Sequence, residues 1–79
     1  MTDVVFIVDD DEAVRSSLGR LLESAGFTVM RYASAEEFLA DYDPRRVGCL
    51  LLDVSMPGMS GLELADILAA RGTPIEIVP

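Results

Sequence analysis

The sequence predicts an α/β fold, a parallel sheet with helices on both faces. Three observations lead there. Two continuous apolar runs, Val4-Val5-Phe6-Ile7-Val8 and Cys49-Leu50-Leu51-Leu52, have the length and bounding turn residues of strands buried on both faces. The segment after the first run carries a one-sided apolar stripe at helical spacing, Val14, Leu18, Leu21, Leu22 and Ala25. Strand and helix patterns then alternate to the end of the chain, as in parallel strands joined by right-handed crossovers.

Taken in order, the first strand covers Val4–Val8 and a helix follows from about Glu12 to Ala25. Asp10 or Asp11 can cap its start, and Gly26 is placed to end it in the left-handed conformation. Phe27–Tyr32 reads as a second strand, with Phe27, Val29 and Arg31 alternating against Thr28 and Met30. Ser34 and Glu37 fit a capping box, and the helix they open places Ala35, Phe38, Leu39 and Tyr42 on one face before stopping near Pro44. After a loop from Asp43 to Gly48, Cys49–Leu52 is the third strand. Ser60 and Glu63 repeat the capping box and open a helix to Arg71, closed by Gly72. Thr73-Pro74 leads into Ile75–Val78, a fourth strand. No linker or repeat interrupts residues 1–79, which read as a single domain.

Composition narrows the function. Seventy-nine residues make one small domain, and at this size only roughly 60% of the unfolded surface is buried, so stability is marginal. The apolar fraction of 51% is ample for a core. Net charge is −8, and all six basic residues are arginines. No basic stripe exists to neutralise phosphates, so neither nucleic acid nor an anionic membrane is expected as a direct partner. The chain has no histidine, which excludes histidine acid–base catalysis and the usual His/Cys zinc sites. Cys49, the lone cysteine, reads as a small core residue. With no signal peptide and no long apolar span, a cytoplasmic location is expected.

Both buried strands end in acid: Asp9, Asp10 and Asp11 after the first, Asp53 after the third. In a parallel sheet the carboxyl ends share one rim, where open α/β sheets bind ligands. If the first and third strands are neighbours, Asp9, Asp10 and Asp53 converge. Three crowded carboxylates need a proton or a cation, and an oxygen-only donor set points to Mg²⁺. An aspartate beside Mg²⁺ is also a class of nucleophile that forms aspartyl-phosphate. Each acid has a plainer reading as well: Asp10 and Asp11 as helix caps, Asp53 as a turn former. Arg45-Arg46 reads as a solvated loop, and Met56 and Met59 as packing residues.

The acidic run Asp9-Asp10-Asp11-Glu12 with Val14-Arg15, and Leu51-Leu52-Asp53-Val54-Ser55-Met56-Pro57-Gly58-Met59-Ser60-Gly61, together resemble the receiver domain of bacterial two-component response regulators. Gly26-Phe27, Tyr32-Ala33-Ser34-Ala35 and Phe38-Leu39 look most like receivers of the FixJ-like group. The resemblance implies a flavodoxin-like (CheY-like) doubly wound sheet of order 2-1-3-4, incomplete, with the fifth strand and last helices missing. It implies that Asp53 accepts a phosphoryl group from a sensor histidine kinase's phosphohistidine. Asp10 would bind Mg²⁺ directly, Asp9 directly or through water, and the Ser55 backbone carbonyl would be a third protein ligand. Asp11 is a weaker candidate.

The family also has a Thr or Ser ending its fourth strand, and a Lys and an aromatic residue at its fifth. None is present here, so impaired switching is expected, as is the absence of an output domain. A lost charge-assisted partner alone is worth roughly 1.5–3 kcal/mol. The fourth strand would be an open edge, so a homo-oligomer joined there is expected. The competing reading is a self-associating structural module with a vestigial phosphorylation site. A haloacid dehalogenase-type phosphohydrolase wants a second aspartate at position 55, which is Ser55. An EF-hand fails because Asp9, Asp10 and Asp11 are consecutive. The chain is expected to be a signalling module and not an enzyme.

Overall fold

The computed structural model describes residues 4–43, 45, 48–53, 56, 58–72 and 75–78. Strands β1 (Val4–Val8), β2 (Thr28–Tyr32), β3 (Gly48–Leu52) and β4 (Glu76–Val78) alternate with helices α1 (Glu12–Ser24), α2 (Ala35–Asp41) and α3 (Gly61–Ala70). The sheet is parallel, in the expected order β2-β1-β3-β4. Pro44, near which the second helix is expected to stop, Arg46 of the loop after it, Pro57, and Thr73-Pro74 ahead of the fourth strand lie outside the described residues.

Alternation along β1 and β3 divides the core between two faces. Phe6, Val8, Leu50 and Leu52 point to one side, where Ala35 and Phe38 of α2 and Leu64 and Leu68 of α3 cover them. Phe38 organises this layer, meeting Tyr32 edge-on at 5.3 Å and stacking on Tyr42 at 5.0 Å, with Phe6 edge-on at 5.6 Å. Such pairs add about 0.5–1.5 kcal/mol each beyond their buried area. Met56 is buried in the same cluster and Met59 packs against it, as expected of packing residues. Val5 and Ile7 are buried on the opposite face, on which α1 packs against β1 and β2.

The helix ends follow the sequence closely. Ser34 and Ser60 accept hydrogen bonds from the backbone N–H groups of Glu37 and Glu63. The Glu37 carboxylate reaches one residue further back than a capping box requires, to the Ala33 N–H at 2.8 Å. At the end of α1, Gly26 takes φ +96°. Its N–H donates to the Glu23 carbonyl and that of Phe27 to the Leu22 carbonyl, the paired bonds of a Schellman turn.

The α1 stripe departs from expectation. Leu18 and Leu22 are half-buried, but Leu21 is 67% exposed, Val14 38% exposed, and Ala25 is exposed. The helix sits over β1 and β2. The strip over β3 is left as an open groove of about 400 Å³, with Ile7, Leu18, Leu51 and Val78 in its apolar wall.

Candidate functional site

The β1–α1 junction gives each of its three aspartates a different task. Asp11 caps α1, one carboxylate oxygen accepting from the Ala13 and Val14 N–H groups at 2.9 and 3.2 Å. Asp9 folds back, its Oδ1 accepting from the Asp11 N–H at 2.9 Å. Asp10 between them is exposed, and no hydrogen bond to the cap of α1 is made by its carboxylate among the described residues. The choice left open above between Asp10 and Asp11 as cap falls to Asp11, and this spends the carboxylate of the weaker metal candidate.

Asp53 arrives from the neighbouring strand. Its N–H donates to the Val8 carbonyl at 3.0 Å, extending the β1–β3 ladder one residue past Leu52. On the other side of β1, the Asp9 N–H donates to the Tyr32 carbonyl at 3.2 Å. The ladders thus hold Asp9 and Asp53 side by side on one rim, both half-buried. Asp9, Asp10 and Asp53 each offer one carboxylate oxygen, and these oxygens lie within 4.8 Å of one another. The expected convergence is present. The Ser55 carbonyl lies outside the described residues.

The donor set fits a hard divalent cation. It is all oxygen, with no thiolate or imidazole. Oxygens around an octahedral Mg²⁺, at about 2.0–2.1 Å from the ion, sit roughly 3–4 Å apart, so a small contraction of the cluster suffices. Asp9 and Asp53 also line the groove beside α1.

One contributor escapes sequence reasoning. Arg15, in the first turns of α1, sends its guanidinium back to the Asp9 carbonyl at 2.7 Å. Its position six residues on makes the reach possible, but a solvated arginine has the same spacing. Cys49 is half-buried at the strand interior and away from the cluster. Burial first, and the Glu76 carboxylate second, hold its thiol above the ordinary range, against a reactive role. Arg45 is exposed and pairs with Asp43 at 2.8 Å, a solvated loop contact as expected.

Comparison with known proteins adds a family pattern. The family described as the response regulator receiver domain matches residues 5–78. The transcriptional regulatory protein FixJ of Azorhizobium caulinodans is 49% identical over 74 residues, covering 94% of this chain and 35% of that protein. The chain therefore spans about a third of that relative's length. Among solved structures, the response regulator StyR superposes with a TM-score of 0.88 at 48% identity, over 98% of this chain and 40% of that one. The response regulator TrrA from Thermotoga maritima, solved in complex with Mg²⁺-BeF, superposes with a TM-score of 0.81 at 28% identity, over 96% of this chain and 66% of that one.

Proposed function

The chain belongs to the response regulator receiver family, and from that premise we propose that it is a phosphoacceptor module of a two-component phosphorelay, with Asp53 as the acceptor. The observation that carries this reading is the gathering of the Asp9, Asp10 and Asp53 carboxylates on the carboxyl rim of β1 and β3. Asp9 and Asp10 would hold Mg²⁺ together with Asp53 and the Ser55 carbonyl. The ion, when bound, neutralises carboxylate and phosphoryl charge and orients the phosphoryl oxygens.

The chain's own residues supply the rest. One oxygen of Asp53 forms a bond to phosphorus as the donor's P–N bond breaks, and the histidine nitrogen leaves with the electron pair. The Asp53–Val8 ladder bond fixes the acceptor's backbone, which keeps the attacking oxygen on the rim. The donor is a sensor histidine kinase, and the setting cytoplasmic. Among the described residues no helix is long and apolar enough to cross a membrane, and the net charge of −8 argues against direct nucleic-acid contact.

Residues 1–79 form one receiver unit. They contain no lysine, so these residues by themselves offer no lysine ammonium to the phosphoryl product, and switching by these 79 residues alone is impaired. Incubation with acetyl phosphate and Mg²⁺ should add one phosphoryl mass to the intact protein, and Asp53→Asn should abolish the gain. Labelling that persists in Asp53→Asn would place the acceptor elsewhere. No labelling of the wild type would leave the self-associating fragment with a vestigial site as the better reading.

A further inference from the structure

We propose that Arg15 is a positioning residue for the acidic pocket, fixing the direction in which Asp10 meets Asp53. The inference rests on the phosphoacceptor reading above. Asp9 is the last residue that the sheet holds, and Asp10 lies past it, where the sheet no longer dictates the backbone. The Asp9 N–H is held by the Tyr32 carbonyl, and the Asp11 N–H by the Asp9 carboxylate. The peptide group joining Asp9 to Asp10 is held through its carbonyl by Arg15, at 2.7 Å and partly buried. A peptide group is planar, so anchoring that carbonyl also sets the Asp10 nitrogen and Cα; with the Asp11 N–H held on the far side, the exit of the Asp10 side chain is narrowed from both ends. Arg15 therefore acts through backbone and touches none of the proposed ligand oxygens in doing so.

A charge role and a positioning role predict opposite signs. A guanidinium beside a cation site repels the cation, so removing it for its charge alone tightens Mg²⁺ binding. Removing a group that orients the ligands loosens it, commonly by about 10–100-fold for supporting residues around a metal. Mg²⁺ affinity of wild type, Arg15→Met, Arg15→Lys and Asp10→Asn would be measured by calorimetric titration. Metal-free melting by far-UV circular dichroism would confirm that each variant is folded.

The expected result is about tenfold weaker binding in Arg15→Met and only about two- to threefold in Arg15→Lys, which keeps a donor of similar reach. Unchanged or tighter binding in Arg15→Met, or a loss that lysine does not recover, would overturn the proposal while leaving the pocket intact. If Arg15→Met does not melt cooperatively, Arg15→Lys decides: weakening of about two- to threefold supports the proposal, and unchanged or tighter binding, or a loss of about tenfold or more, overturns it. Full affinity in Asp10→Asn would overturn the pocket reading, and this inference with it.

Discussion

At the scale of single residues, two tyrosines of the aromatic cluster carry opposite expectations. The Tyr32 hydroxyl donates to the Asp41 carboxylate at 2.6 Å, so Tyr32→Phe should cost about 1 kcal/mol. The Tyr42 hydroxyl is buried with no hydrogen-bond partner among the described residues. Tyr42→Phe keeps the stacked ring and removes the unmatched oxygen, so it should stabilise by about 1 kcal/mol. Urea melts of the two variants test the contrast, and equal effects would contradict it. Alkaline pH acts on the same region. Burial first, and Asp43 second, raise the Tyr42 phenol, as burial and Glu76 raise the Cys49 thiol. Both groups prefer their proton in the folded state, so the stability this represents is whole below the unfolded values and lost as pH rises through the folded ones. The urea midpoint should start to fall above the ordinary thiol pKa of about 8.5. Cys49→Ala should move that onset up towards the phenol range; an unmoved onset would remove Cys49 from the account.

Among the elements, two glycines separate backbone from side-chain constraint. A Cβ on Gly48 would collide with the Val4 carbonyl across the β1–β3 ladder. Neither backbone can yield without breaking pairing, so Gly48→Ala should cost about 1–3 kcal/mol. The nearest atoms that a Cβ on Gly19 would meet are those of the Arg31 guanidinium, the far end of a flexible side chain. Displacing it loses an exposed pair with Glu23, worth about 0–1 kcal/mol, and gains about 1 kcal/mol of helix propensity. Gly19→Ala should therefore melt at or slightly above wild type; a clear loss would mean the Arg31 contact matters more than its exposure suggests. Neither glycine was legible in the sequence, because each depends on what crosses it from another element. The caps were legible because Ser34, Ser60 and Gly26 act within a few residues of themselves. The acids at the strand ends were legible for a related reason: parallel pairing alone brings the ends of β1 and β3 to one rim. The α1 stripe misled because periodicity reports one face of a helix, not how much sheet lies beneath it. Leu21 keeps the period and remains exposed.

For the whole molecule, charge and size decide how the pocket should reveal itself. A 79-residue chain of net charge −8 gathers three carboxylates at one rim, like charges that a bound cation would offset. Mg²⁺ at ten times its dissociation constant should add about 1.4 kcal/mol, roughly 6–11 °C in Tm for a domain of this size. Asp10→Asn removes one of the crowded charges, so its metal-free Tm should equal or exceed wild type while its Mg²⁺ response shrinks. General screening of a −8 chain would also raise Tm, but NaCl at matched ionic strength would then do as well as Mg²⁺. Equal shifts in the two salts would mean that the rim carboxylates act only as diffuse charge. Sedimentation of the same samples tests association. Among the described residues β4 pairs with β3 alone, and Val78 is 45% exposed beside the apolar groove. An unpaired strand edge next to apolar surface favours joining to a second copy, whereas like charge opposes it at low salt. The 79-residue chain should therefore dimerise more readily as salt is raised, and a monomer at high concentration in high salt would show that this edge does not pair.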